Sequence, residues 1–138
     1  MKRTFVIASH STLAGGMTAA LKFFAGDAIS IIEMNCYLDN EPIDGKITEI
    51  FDGFSEDEEV IILTDLLAGS VNQTFYRYLN RQHTHLFTGM NMALGLALLL
   101  EPAENYLTIA RAQQLVTEAR ENLVYMNEFQ AEVDEDDE

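Results

Sequence analysis

A single α/β domain built around an open, mostly parallel sheet is the fold class this sequence predicts, and three observations predict it. The chain is 138 residues long, which is one domain's worth on the usual scale of ~100–200 residues. Hydrophobic residues make up 48% and charged residues 22%, a globular composition that excludes wholesale disorder. Short β-rich apolar runs then alternate with segments whose apolar residues recur at helical spacing.

The first apolar run is Phe5-Val6-Ile7-Ala8, followed by Ser9-His10-Ser11-Thr12, where small polar residues can cap a helix starting near Leu13. Leu13, Met17, Ala20, Leu21 and Phe24 give that helix one apolar face, and Gly26-Asp27 stops it. Residues 28–34 form a second strand. A second helix begins just after Pro42, carries Ile43, Ile47, Ile50, Phe51 and Phe54 on one face, and ends near Gly53. Glu56-Asp57-Glu58-Glu59 reads as a solvated acidic turn.

Val60-Ile61-Ile62-Leu63-Thr64 is the most apolar short run, as expected of a central parallel strand covered on both faces, and it ends at Asp65. Ser70-Val71-Asn72-Gln73 has the capping-box spacing and should open a helix running to about Leu79. A fourth strand spans 85–88. Gly89-Met90-Asn91 turns into an apolar helix from Met92 to Leu100, Pro102 breaks it, and a long last helix is predicted from Tyr106 to about Phe129. The domain thus covers 1–130, with residues 131–138 as a disordered acidic tail.

Strands separated by helices lie parallel and are joined by right-handed crossovers. For four or five short strands this predicts the flavodoxin-like order 2-1-3-4, with helices on both faces. The chain reverses direction between the first and third strands, so the loops after them share one crevice. Those loops carry His10 and Asp65. Topology alone therefore brings an imidazole and a carboxylate together where such sheets bind ligands.

Charge narrows the partners. Twenty-three acidic against eight basic side chains give a net charge of −15, which disfavours nucleic acid and anionic membrane surfaces. The single cysteine, Cys36, precludes an internal disulfide and fits a reducing, cytoplasmic setting. The opening apolar run is too short for the core of a signal peptide, and 92–100 is far below the ~20 residues needed to span a bilayer. Cys36 itself is expected to be a small, partly buried residue without a nearby cation.

A carboxylate that accepts one imidazole N–H leaves the other ring nitrogen with a free lone pair. His10 could thus attack an electrophile. Ser11, Thr12 and two glycines follow it at the start of a helix, and Gly69 and Ser70 begin another beside the same crevice. Helix N-termini favour anions, so these two can cradle a phosphoryl group without lysine or metal. Neither loop has a nucleophile elbow, a Walker lysine or an acidic metal cage, so the phosphoryl group must come from another phosphorylated species. Exchange between two histidines would run near equilibrium and need only positioning and charge stabilisation. No cofactor is expected. His83 and His85 alternate at the entrance to strand four, but no third ligand accompanies them, and ordinary surface histidines are the expectation.

At these residues the chain resembles the enzyme IIA domains of the mannose/fructose/sorbose type in the bacterial sugar phosphotransferase system (PTS). The similarity runs from Phe5 to the final helix. The family's first-strand histidine falls on His10, its third-strand Asp and Gly-Ser turn on Asp65, Gly69 and Ser70, and its Gly-x-Asn turn on Gly89-Met90-Asn91. The resemblance implies a phosphotransferase with a phosphohistidine intermediate. In that relay HPr phosphorylates His10, a IIB domain or subunit receives the group, and sugar enters through a membrane permease of IIC/IID type. It also implies a homodimer. Ser11 stands where the family often has Gly, Ala68 and Val71 where it often has Gly and Pro, and Ala93 where Pro is usual. The phosphocarrier subunit of dihydroxyacetone kinase is the nearest related alternative.

Two readings of other classes share the fold. A flavodoxin-like module binding FMN or another phosphorylated ligand would use Ser9, Ser11 and Thr12, although no aromatic near that loop is evident from the sequence. A receiver domain would want an acidic pair after the first strand, where Ser9-His10 stands. The sugar itself leaves no mark on this chain.

Overall fold

The computed structural model describes residues 2–129; the acidic tail lies outside them. Four strands, β1 (Arg3–His10), β2 (Ile31–Cys36), β3 (Glu59–Thr64) and β4 (Thr84–Thr88), form one parallel sheet in the order β2-β1-β3-β4. Between and after them run α1 (Leu13–Ala25), α2 (Ile43–Asp52), α3 (Ser70–Thr74), α4 (Met92–Leu99) and α5 (Ile109–Arg120). The order 2-1-3-4 and the helical crossovers are as the alternation of elements predicts.

Period-two alternation in the central strands builds a core on each face. Phe5, Ile7, Ile61 and Leu63 point to one side, where they meet Leu21 of α1, Leu94 and Leu98 of α4, and Leu115 of α5. Val6, Ala8, Val60 and Ile62 point to the other, against Ile47 and Phe51 of α2 and against Val71 and Phe75. All six residues of β3 are buried, which is why this run carries no alternating polar positions.

Four boundaries depart from the sequence reading. The second strand starts at Ile31, because 27–30 form a turn; Ile29 still packs on the core from that turn. The supposed solvated turn at 56–59 holds two buried carboxylates. Glu59 begins β3 directly opposite Arg3 in the register, so the two side chains pair inside the fold, and Glu59 also accepts from the Leu107 amide at 2.6 Å. Glu58 accepts from the Thr4 hydroxyl at 2.7 Å. Arg3 extends the network to the carbonyls of Glu101 and Asn105, fastening the α4–α5 loop to the N-terminal edge of the sheet.

The helix expected over 70–79 is a single short α-turn, Ser70–Thr74, followed by a 3₁₀ turn at Tyr76–Tyr78. The Ser70 capping box does not form: Gly69 is the N-cap, and the Ser70 hydroxyl bonds elsewhere. The long helix expected over 106–129 is α5 at 109–120, a break over 121–125, and a helical segment again at 126–129. Thr108 caps α5 by accepting from the Arg111 amide at 3.1 Å, and past Ala119 every described residue is exposed, so no core contact carries the helix through 121–125.

Candidate functional site

Parallel strands β1, β2 and β3 all end at one rim, so the residues that follow them become neighbours although they lie far apart in the chain. His10 ends β1 opposite Cys36 of β2, and Asp65 follows β3 on the other side. The Asp65 side chain is buried, and its Oδ2 lies 2.8 Å from the His10 backbone nitrogen and 2.7 Å from Nδ1. Its Oδ1 accepts from the Leu66 amide at 2.9 Å. An ionised carboxylate can only accept, so Nδ1 carries the ring proton and Nε2 keeps its lone pair. Burial alone would raise the Asp65 carboxyl. The backbone N–H and the ring of His10, with the Leu66 amide, outweigh it and hold that carboxyl below the usual range.

Space is tight beside the ring. A Cβ on Gly69 would stand 3.2 Å from His10 Cε1 and 3.2 Å from the Leu66 carbonyl oxygen, tighter than most real contacts. The start of α3 therefore lies directly against the imidazole. There the amides of Ser70 and Val71 have no acceptor among the described residues. The start of α1 offers less than its sequence suggests. The Ser11 amide donates to the Cys36 carbonyl, the Ala14 amide to Ser9 Oγ and the Gly15 amide to Asn35 Oδ1, which leaves those of Thr12 and Leu13 without acceptors among the described residues. Thr12 is the N-cap by position, but its side chain makes no capping bond. Ser11 has φ 54°, the left-handed region that glycine adopts freely.

Sequence reasoning missed Tyr37. It follows β2, its ring centroid lies 5.4 Å from that of His10, and its hydroxyl is 2.7 Å from Ser70 Oγ. An aromatic therefore does stand beside the first loop. The signal was the predicted order 2-1-3-4, which puts the residue after strand two next to the residue after strand one.

The other singled-out residues take no part in the His10–Asp65 pair. Cys36 is buried, and burial followed by the nearby Asp65 charge pushes its thiol up although Lys46 opposes them. The lysine was not anticipated; it comes from α2. His83 has φ 58°, which breaks the expected alternation with His85, and it stacks on Tyr106 at 3.5 Å. Among the described residues no group of three or more His, Cys, Asp or Glu side chains could hold a metal ion. Gly89 turns with φ 75°, and Asn91 caps α4 by accepting from the Leu94 amide at 2.9 Å, so the Gly-x-Asn motif has a local structural reason.

An imidazole with one nitrogen held by a carboxylate and the other free, at the switch point of a parallel sheet, is an arrangement that can act as a nucleophile. The comparisons with known proteins narrow that class. The chain belongs to the family described as the PTS system fructose IIA component, whose model matches residues 4–118, and this membership gives it a phosphocarrier role in PTS sugar transport. It is 31% identical to a Klebsiella pneumoniae protein described as a candidate permease of the phosphoenolpyruvate-dependent sugar PTS, with a TM-score of 0.84 over 92% of this chain and 93% of that one.

Two further structures share the fold. One is the PTS IIA protein associated with the fucose utilization operon of Streptococcus pneumoniae, at 24% identity and TM-score 0.77 over 94% and 97% of the two chains. The other is the mannose/sorbose-specific IIA subunit of Enterococcus faecalis, at 18% identity and TM-score 0.72 over 90% and 94%. Among curated proteins none matches significantly. No helix among the described residues is long and apolar enough to cross a membrane.

Proposed function

We propose that the chain is a phosphohistidine carrier in which His10 Nε2 takes the phosphoryl group from phosphorylated HPr and hands it to a IIB domain for sugar uptake. The observation that carries this reading is the Asp65 oxygen 2.7 Å from Nδ1, which leaves Nε2 as the nucleophile on a side chain 42% exposed. In the transfer, the Nε2 lone pair forms the N–P bond while the donor's N–P bond breaks in line, and the donor histidine leaves with its electron pair. The imidazolium thus formed keeps its Nδ1 proton on Asp65. The amides of Thr12, Leu13, Ser70 and Val71, with the hydroxyls of Ser11, Thr12 and Ser70, are the groups available to the phosphoryl oxygens.

The rim supports a protein donor over a small one. Leu13, Tyr37, Leu38, Leu66 and Leu67 lie just after β1, β2 and β3 in the chain, and each is at least half exposed. Such a group of apolar side chains is what a transient protein partner covers. For the homodimer, we assign α4. Its sequence MALGLALL holds no polar residue, only Leu94, Gly95 and Leu98 are fully buried, and Leu100 beyond its end is exposed. Two copies of this acidic chain can meet there without apposing like charges.

Incubation with phosphoenolpyruvate, enzyme I and HPr should label His10 with acid-labile, base-stable phosphate. His10→Ala should take no label and still fold, as read from its far-UV circular dichroism. An unlabelled wild-type chain beside a labelled control protein would reject the reading.

A further inference from the structure

Tyr37 adopts a backbone conformation that a bulky L-residue avoids, with φ 65°. No turn in this part of the chain obliges an aromatic there, since glycine or asparagine would meet the conformation at lower cost. The consequence is specific. The side chain swings back from the end of β2 across the imidazole, tilted 35° to it, and its hydroxyl reaches Ser70 Oγ at 2.7 Å on the far side of the crevice. Ser70, in turn, does not cap its own helix. Its hydroxyl is engaged by Tyr37 alone among the described residues, at the turn that packs against His10 Cε1.

We infer that Tyr37 is a positioning residue for phosphoryl transfer, acting through Ser70. The inference rests on the phosphohistidine reading above. A phenol is a stronger acid than an aliphatic alcohol and is the better donor of the pair. With the Tyr37 O–H donating to Ser70 Oγ, the Ser70 proton is turned outward and polarised, ready for an oxygen of the phosphoryl group on Nε2. A serine hydroxyl on an exposed turn would otherwise rotate among three staggered positions. Accepting from the tyrosine closes the position that points back at it and leaves the two that face outward, and the tyrosine ring stands beside the imidazole.

The experiment measures the rate of His10 phosphorylation by phosphoramidate, a small phosphoryl donor, so that docking of a protein partner does not enter. Four proteins are compared: wild type, Tyr37→Phe, Ser70→Ala and the double variant. Tyr37→Phe keeps the ring and removes the hydroxyl; its rate should fall about two- to tenfold, as expected for one oriented neutral hydrogen bond. Ser70→Ala should lose at least as much, and the double variant should be no slower than Ser70→Ala alone, because the phenol works only through the serine. A merely structural tyrosine would lower the thermal midpoint and leave the rates multiplicative. Equal rates for wild type and Tyr37→Phe, or losses that multiply in the double variant, would overturn the assignment while leaving His10 as the acceptor. No phosphate on wild-type His10 with either phosphoramidate or HPr would overturn both readings together.

Discussion

Replacing Asp65 by Asn removes one charge and almost no volume, and the structure states what that should do. The carboxylate serves three donors with two oxygens, the Leu66 amide on Oδ1 and both the His10 amide and Nδ1 on Oδ2. An amide has one acceptor oxygen. Facing His10, it leaves its NH₂ against the Leu66 N–H. Flipped, it presents the NH₂ to Nδ1 and draws the ring proton onto Nε2, which destroys the nucleophile. A hydrogen bond to a charged group contributes about 1.5–3 kcal/mol, so phosphorylation of His10 should slow roughly ten- to a hundredfold. Rapid-quench measurement of labelling from phosphorylated HPr gives the rate, and ¹⁵N NMR of the imidazole gives the tautomer. A wild-type ring protonated at Nε2 near neutral pH, or an Asn variant transferring at the wild-type rate, would show that the carboxylate does not orient the histidine.

Stability should follow the same group. The folded-state carboxyl of Asp65 lies below its unfolded value of about 3.9, so its contribution is fully present above that pH and is lost as pH falls through the folded value; the stability gap between wild type and Asp65→Asn should close over that range in urea titrations. Gly69→Ala should fold yet transfer about tenfold more slowly, because the new methyl pushes on His10 Cε1 and shifts the ring off line; an unchanged rate would mean the turn yields freely. Arg3→Met strands the fully buried Glu59 carboxylate, and breaking such a pair costs about 3–5 kcal/mol, or on the order of 10 °C in thermal midpoint by calorimetry. Cys36 should react with iodoacetamide slowly in the native state and quickly in urea, since burial keeps its thiol protonated. Leu100→Glu should convert a dimer to a monomer in sedimentation velocity if α4 is the contact.

Where one element dictates its own shape from short-range pattern, it was legible. β3 reads as a buried strand because five apolar or β-branched residues stand together, and the faces of α1 and α2 read from helical spacing. The pairing of His10 with Asp65 was legible for a different reason: strand order is a topological consequence of alternation, and order decides which strand ends are neighbours. What failed depended on contacts between distant residues. Glu59 looks solvated in a run of four acids and becomes a core ion pair only because register sets it opposite Arg3. Ser70 has the spacing of a capping box, but a tyrosine thirty-three residues away offers its hydroxyl a better partner. Three of the amides expected to bind an anion at α1 are consumed by Cys36, Ser9 and Asn35, a competition no local pattern records.

The charges around the crevice bear on why a relay would be built this way. The nearby cations are committed elsewhere: Lys46 sits 3.5 Å from Asp39 and 3.4 Å from Glu41, and Arg77 donates to the Asp44 carbonyl and Thr48. A phosphoryl group on Nε2 would be held directly by amide and hydroxyl dipoles, since those two side chains make their bonds elsewhere. A lysine or arginine aimed at it would stabilise the phosphorylated state and slow its departure, since whatever binds the bound group more tightly than the transition state lowers the rate of handing it on. Neutral donors leave phosphorylated and free states closer in energy, which suits a site that must accept and release the same group. They also leave the excess negative charge of the loaded, acidic carrier to be met by the partner. Transfer out of this site should therefore be more sensitive to ionic strength than labelling by phosphoramidate, because only the protein partner brings the compensating cations; equal salt dependence for the two reactions would place those cations on this chain after all.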